Sequence, residues 1–215
     1  SASGNAGRYF LEKIIQVPLS LPQADQISLR QLCFQGVDQA LNDAQVELGE
    51  NQVQEFVRRF VDGVEIRLKN PRMCKRYANA LTFAVPILKG EANPVDLLLI
   101  EAIRVFYPDL HEAIKQNADI FSGSLSGRED VKRIKEKTEA VLDRALTLYS
   151  EEEKQRANDL LRELFPKLKG IFGNVHYGDS WEDRWSKEQR ISSSEYFSRY
   201  FTYSIPEGDI SEIGR

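Results

Sequence analysis

The sequence has few cysteines and histidines, the residues that most often build disulfides and zinc sites. Its two cysteines are Cys33 and Cys74, and its two histidines are His111 and His176. The cysteines form no CxxC arrangement and sit in apolar helical patterns, which predicts two buried free thiols in a reducing compartment. With so few sulfur and imidazole ligands, we expect no zinc site and assign no metal ligand.

Long hydrophobic runs are also missing. A membrane span needs roughly 18 apolar residues, and the best run here, 95–103, is interrupted by Asp96 and Glu101. The opening SASGNAG lacks the basic and apolar regions of a signal peptide and is typical of a linker. We therefore expect a cytoplasmic protein with no membrane segment in this chain. Any membrane association would come through regions outside these residues.

The chain carries no excess of positive charge. Its 215 residues have a net charge of -4, with 41% hydrophobic and 29% charged residues. This composition can bury a core but argues against broad adsorption to nucleic acid or anionic lipid. We expect no nucleic-acid partner, and a helix-turn-helix DNA-binding function is opposed by the acidic balance and the lack of a contiguous basic helix.

Catalytic motifs are absent as well. The sequence contains no G-x-S-x-G, no H-E-x-x-H and no Gly-Lys dipeptide, so the GxxxxGK[ST] phosphate-binding loop is not in it. Carboxylates are plentiful but scattered along helix surfaces. Nothing in the sequence indicates an active site that is complete within these residues.

Helical periodicity dominates what remains and predicts a mainly α fold, a multi-helix bundle or array. Ser28 is expected to cap the first long helix. Asn70-Pro71 and Asn93-Pro94 each place an Asn cap before a proline at the first helical position. The helix after Asn93 is apolar around most of its circumference, which predicts a central position. Pro108 is expected to interrupt it and start another helix.

One short extended strand is predicted at the N-terminus, in VPLSLP at 17–22. Its apolar residues alternate, and its prolines suit an edge or a strand end. No second strand follows, so this strand has no partner in the chain. An unpaired edge predicts either a folded-back arm or a dimer induced by truncation.

The second half begins after SGSLSGRED at 122–130, the best internal boundary because it is small, polar and rich in Gly and Ser. Two helices follow and predict an αα-hairpin. Ser150 with Glu153 forms a capping box at the start of the second, and Pro166 and Gly170 are expected to close it.

The last portion is a partly irregular tail rich in aromatic residues, including both tryptophans. Trp181 and Trp185 are four residues apart, as are Phe197 and Phe201, so each pair can share a helix face. We favour the hypothesis that these rings pack the tail onto the body. The alternative is a surface that binds a protein partner.

Three cations stand at the start of one predicted helix, in KNPRMCKRYANAL: Arg72, Lys75 and Arg76. The N-terminal end of a helix is partly positive, so each unpaired cation there costs about 0.3–1 kcal/mol. A bound phosphate would reverse that sign. The alternative is that Glu65, Asp62 or another carboxylate pairs with them.

Three segments resemble the C-terminal part of KAP-family P-loop NTPases: RYFLEKIIQVPLSLP, then NPRMCKRYANALTFAVPILKGEANPVDLLLIEAIRVFYPDLHEAI, then SEYFSRYFTYSIPEGDIS. The resemblance extends from about residue 8 to about residue 210 and is weakest from about 118 to 172. Its more specific parts are LEKIIQ-x-P and N-P-R-x-x-K-R, in this order.

The resemblance implies that the P-loop and the acidic metal-binding strand lie upstream of LEKIIQ. The chain would then be an excised fragment or one half of a split gene, with the missing P-loop core as its partner. Residues 1–22 would be a linker plus the last helix and strand of that core. Residues 23–121 would be a helical lid, and 122–215 a helical hairpin with an aromatic C-terminal extension.

The resemblance also implies a role for the cations. Arg72 is similar to a sensor arginine that reaches from the lid to the terminal phosphates of the nucleotide, and would be catalytic only together with the missing core. Lys75 and Arg76 would be further nucleotide-binding residues. The cofactor would be ATP with Mg in the full-length protein and none in this chain alone, which we expect to be inactive. The alternative is a helical protein-protein interaction module with no nucleotide role.

Overall fold

The computed structural model describes residues 25–123, 131–173 and 179–203, and in these ranges the fold is a multi-helix array without strands. The mainly α prediction is confirmed, while the predicted strand at 17–22 lies outside the described residues. The helices are α1 Gln26–Asp43, α2 Glu50–Gly63, α3 Pro71–Leu88, α4 Pro94–Phe106, α5 Pro108–Gln116, α6 Ala118–Phe121, α7 Val131–Ala145, α8 Glu151–Leu164, α9 Pro166–Gly173, α10 Asp179–Lys187 and α11 Arg199–Thr202. A 3-10 turn, Glu65–Arg67, follows α2.

The two Asn-Pro helix starts are confirmed. The side chain of Asn70 accepts a hydrogen bond from the backbone N–H of Met73 at 3.1 Å, and Pro71 is the first residue of α3. Asn93 accepts from two N–H groups of the first turn of α4. The proline in each case occupies a position whose N–H has no partner in the helix, so it costs nothing there. Pro108 also starts a helix, as expected.

The predicted cap of the first helix is wrong by one turn. Helix α1 begins at Gln26, and Asp25 is its N-cap. A carboxylate oxygen of Asp25 accepts from the N–H of Ser28 at 2.9 Å, and the other accepts from the Ser28 hydroxyl at 2.6 Å. Ser28 is therefore a helix residue that donates to the cap, because an acceptor three residues earlier satisfies its N–H.

The capping box at Ser150 is confirmed, with Ser150 and Glu153 each accepting from the backbone N–H of the other at 3.3 and 3.0 Å. The predicted end of this helix at Pro166 is confirmed, whereas the predicted role of Gly170 is wrong. Helix α8 ends at Leu164, and Pro166 opens α9, which contains Gly170 as a buried residue. Proline fits the first turn of a helix as well as the position after one, and spacing alone does not separate the two.

Helix α4 lies at the centre of the core. Eleven of its thirteen residues are buried, which explains why its apolar residues surround it. Helix α3 packs against α4 on one side and α1 on the other, and α2 and α5 also pack against α4. The core is one continuous cluster that runs from Leu29 to Phe201.

Helices α7 and α8 pack mainly against other elements. Helix α7 contacts α5 and α9, and α8 contacts α2 and α9. The contact between α2 and α8 is close at Gly63, where an added Cβ would lie 2.7 Å from Cβ of Leu160. The hairpin and the division of the chain at 122–130 stay predictions, while the core receives side chains from both sides of that boundary.

The aromatic tail packs onto the body, as the favoured hypothesis predicts. The buried rings are Trp185, Tyr196, Phe197, Tyr200 and Phe201, whereas Trp181 is 39% exposed. The rings of Phe197 and Phe201 have centroids 4.8 Å apart, and those of Trp181 and Trp185 are 6.4 Å apart. No helix within the described ranges is both long and apolar enough to cross a bilayer.

Candidate functional site

Helix α3 has one face in the core and the opposite face in solvent. The buried face is formed by Cys74, Tyr77, Leu81, Ala84, Val85 and Leu88. The hydroxyl of Tyr77 donates to the backbone carbonyl of Leu98 at 2.8 Å, which anchors α3 to the central helix. With its buried face fixed in this way, α3 turns Arg72, Lys75 and Arg76 outward, and all three are exposed.

The three cations have no ion-pair partner among the described residues. Glu65, a candidate partner from the sequence, instead lies 3.4 Å from Arg30. Asp62, the other candidate, makes no described ion pair either. The described part of the chain therefore contains no carboxylate that neutralises the cluster, which was the alternative to a phosphate site.

Nearby cations show the contrast. Lys69, two residues before α3, lies 3.7 Å from Glu153. Arg58 and Arg59 on α2 both contact Glu163, at 2.7 and 3.1 Å. The start of α3 thus combines the positive end of an 18-residue helix with uncompensated side-chain charge. Such an arrangement favours an anion, and a guanidinium can bind two oxygens of a phosphate at once.

Three carboxylates elsewhere in the fold are engaged in structural pairs with arginines. Asp96 and Glu101 on α4 have fully buried side chains and pair with Arg190 and Arg104, respectively. Glu91 and Arg199 form another buried pair, at 2.9 Å. Buried pairs of this kind position elements and do not leave a group free for proton transfer.

The two cysteines and His111 are also unsuited to catalysis. Burial raises the pKa of both Cys33 and Cys74, so neither thiol is a thiolate near neutral pH. Both are free and buried, as the sequence predicts. Burial, aided by the charge of Arg104, lowers the pKa of His111 to about 4. In the described residues, no group of three or more His, Cys, Asp and Glu side chains could hold a metal ion.

The exposed face of α3 extends beyond the three cations that the sequence pattern indicates. Arg72, Arg76, Asn79, Phe83 and Ile87 follow each other at steps of three or four residues, so they lie along one side of the helix. We call this side the α3 face. Phe83 is 58% exposed and Ile87 is 40% exposed, so the face is cationic at its start and apolar at its end. The sequence shows the spacing of these residues. Which side of the helix is exposed becomes clear only from the residues that the structure buries.

The alternative function placed a partner on the aromatic tail. Five of its rings are buried against the body, and Trp181 is the described tail ring with a large exposed fraction. The tail therefore presents no continuous aromatic surface over its described residues. On the α3 face, in contrast, two large apolar side chains are exposed close to cations, Phe83 and Ile87.

Residues 1–88 match the KAP family P-loop domain. The predicted relation to the KAP-family P-loop NTPases is thereby confirmed for that part of the chain, which includes α1, α2 and α3. Residues 89–215 lie outside the match. No curated protein and no solved structure matches the chain.

Proposed function

We propose, from the relation of residues 1–88 to the KAP-family P-loop NTPases, that this chain supplies the helical lid of such an NTPase. In this proposal Arg72 is a sensor-type arginine that binds the terminal phosphates of ATP. The observation that carries the proposal is the set of three exposed cations at the start of α3, which have no partner among the described residues and lie inside the matched segment.

The residues present fit one side of a nucleotide site. The outward cations match a polyphosphate in charge, and the N-terminal end of α3 adds the partial charge of the helix. The phosphate-binding loop itself, GxxxxGK[ST], is not in the sequence. The lid would therefore act only with a P-loop core, and this chain alone would bind ATP weakly or not at all.

The three cations would have different roles. Arg72 lies in the first turn, where the helix charge and the planar guanidinium act on the same oxygens. Lys75 and Arg76 lie three and four residues on, and would bind outer phosphate oxygens without taking part in chemistry. When bound, ATP with Mg would supply the transferring phosphoryl group, and Arg72 would hold the negative charge that develops on its oxygens.

Turnover in a protein that joins a P-loop core to this sequence tests the proposal. Arg72→Ala should lower the ATP turnover rate about 10- to 1,000-fold, because one aligned charge is lost from the transition state. The turnover rate of Arg72→Lys should lie between those of Arg72→Ala and the parent. An ammonium retains the positive charge but cannot bind two phosphate oxygens side by side as a guanidinium can.

The matched control is Arg144→Ala, which removes an exposed cation of α7 that has no ion pair among the described residues. It should leave turnover unchanged. Circular dichroism and thermal unfolding of each variant show that the fold is retained. Parental turnover in Arg72→Ala would exclude the sensor role.

A further inference from the structure

The α3 face is exposed, its cations have no ion-pair partner among the described residues, and its two halves differ in chemistry. Arg72 and Arg76 form the cationic half, with Lys75 exposed beside them, and Phe83 and Ile87 form the apolar half. From Arg72 to Ile87 the face is about 22 Å long, at 1.5 Å per helical residue. A partner that fits it would be apolar at one end and acidic at the other.

The C-terminal tail of the same chain arrives at the apolar end of this face. Tyr203, the last described residue, packs edge to face against Phe83, with ring centroids 5.6 Å apart. Its hydroxyl donates to Glu101 at 2.6 Å, and the guanidinium of Arg104 lies 5.8 Å from its ring centroid. These contacts fix the point from which residues 204–215 depart.

The sequence after Tyr203 has the required chemistry. SIPEGDISEIGR places Ile205 two residues beyond Tyr203 and then Glu207, Asp209 and Glu212, with one cation, at 215. Ile205 thus comes first, next to the apolar half of the face, while Ile210 and Ile213 alternate with the carboxylates farther along. The carboxylates come later, in the order needed to meet the cationic half.

The distances also agree. Along the helix, Arg76 lies about 10 Å from Phe83 and Arg72 about 16 Å from it. An extended chain advances about 3.3 Å per residue, so Glu207 reaches about 13 Å from Tyr203 and Asp209 about 20 Å. A chain running from Phe83 toward the start of α3 therefore brings Glu207 to Arg76 and Asp209 to Arg72.

We propose that residues 204–215 of this chain dock along the α3 face, with Ile205 on the apolar half and the carboxylates on Arg72, Lys75 and Arg76. The docking is an intramolecular contact, so the short connection to Tyr203 gives it a high effective concentration. The pairs are exposed and screened by salt, which makes the docking reversible. Phosphate and the docked segment would compete for the same cations, a consequence that rests on the proposed function.

A spin label on the full 215-residue chain tests the docking without any nucleotide. Ser211→Cys provides the attachment site, and the native thiols at 33 and 74 are 0% and 1% exposed, so the label goes to residue 211. Paramagnetic broadening should remove backbone amide signals from the first two turns of α3. Amides of α7 serve as the internal reference and should keep their signals.

Charge variants decide whether the cations hold the segment. Arg72→Gln with Arg76→Gln should restore the α3 signals, whereas Arg72→Lys with Arg76→Lys should keep them broadened. The dispersion of the amide spectrum shows in the same experiment that each variant is folded. Failure of this docking would leave the turnover test of Arg72 untouched, so the two proposals fail separately.

Three outcomes would overturn the proposal. The label could broaden no helix more than the reference, or it could broaden α1 and α2 in place of α3. Broadening of α3 could also persist in a mixture of isotope-labelled chains without spin label and spin-labelled chains without isotope, which would assign the face to a second copy.

Discussion

The Nε of Arg190 donates a hydrogen bond to a carboxylate oxygen of Asp96 at 2.6 Å, and joins the tail to the central helix α4. The same oxygen accepts from the backbone N–H of Ile191 at 3.0 Å. The other oxygen of Asp96 lies 3.9 Å from Arg59 on α2. One fully buried carboxylate therefore connects α2, α4 and the segment that precedes α11.

Asp96→Ala should destabilise the protein strongly, because it leaves Arg190 partly buried without its partner. Breaking a buried pair by removing one member costs about 3–5 kcal/mol. Urea unfolding followed by circular dichroism measures the change in the free energy of unfolding. The variant should also loosen the tail, which protease digestion at residues 188–194 would show as faster cleavage.

Asp159→Ala provides the matched control for that variant. Asp159 pairs with Arg162 at 3.2 Å, but both side chains are well exposed, so the loss should stay within about 1 kcal/mol. Equal effects of the two substitutions would show that the contacts of Asp96 do not hold the tail.

Features that depend on neighbouring residues in the chain were predicted correctly, whereas contacts between residues far apart in the sequence were not. The Asn-Pro starts of α3 and α4 need only a cap and a proline, which the local sequence states. The importance of Asp96 was missed, since it looked like an interruption in an apolar run. Its partner Arg190 is 94 residues away, and nothing in the spacing links them.

The same division holds for the candidate site. The charge cluster at Arg72 was visible in the sequence, because a helix start and three cations are local features. Whether a described carboxylate neutralises this cluster depends on the position of Glu65. In the structure Glu65 pairs with Arg30, so it does not neutralise the cluster. The contact between Phe83 and Tyr203 joins residues on α3 and at the end of the tail, so only the fold reveals it.

In a chain whose tail carboxylates are removed (E207Q, D209N, E212Q), Arg72→Ala should slightly stabilise the protein, in contrast to its expected effect on turnover. An unpaired cation at a helix N-terminus is unfavourable by about 0.3–1 kcal/mol, and its removal relieves that cost. Thermal unfolding at low salt measures the gain, and about 0.5 M salt should reduce it by screening. A site that costs stability is expected where a residue is retained for function.

Arg67→Ala is the comparison for this prediction. Arg67 donates to Glu153 at 2.8 Å and lies 4.7 Å from the ring centroid of Tyr149, so its loss should destabilise. If Arg72→Ala also destabilised the chain without the tail carboxylates, Arg72 would have a stabilising contact elsewhere in the fold and would not be a free cation.

Gly63→Ala should destabilise the contact between α2 and α8. A Cβ at this position would lie 2.7 Å from Cβ of Leu160, which cannot rotate away. Overpacking of this kind costs about 1–3 kcal/mol. Gly173→Ala is the control, because its added Cβ would have no atom within 4 Å, and it should not destabilise the protein.

A second substitution identifies the cause. Leu160→Ala retains its own Cβ but removes the Cδ2 atom that would lie 2.9 Å from the new group, so it should reduce the additional cost of Gly63→Ala. Strict additivity of the two substitutions in urea unfolding would show that Cδ2 of Leu160 does not contribute, and would assign the cost to the 2.7 Å approach of the two Cβ atoms.

The stability of the protein should fall between about pH 6.5 and pH 4 partly because of His111. Burial, with the charges of Arg104 and Lys115, lowers the pKa of His111 from 6.5 to about 4. The unfolded chain therefore takes up a proton in this interval that the folded chain does not bind, so stability is lost as the pH falls. The contribution is on the order of 2 kcal/mol after allowance for partial exposure.

His111→Met isolates this contribution, because it removes the titrating ring and keeps an apolar contact for Phe201, whose ring centroid lies 5.2 Å from that of His111. The Nε2 of His111 has no hydrogen-bond partner among the described residues, so the substitution leaves no described group unsatisfied on that account. Urea unfolding at pH 7 and pH 4.5 should give a smaller difference for the variant than for the parent. An unchanged difference would assign the acid sensitivity to carboxylates such as Glu163, whose pKa is lowered chiefly by its hydrogen bond from Arg58.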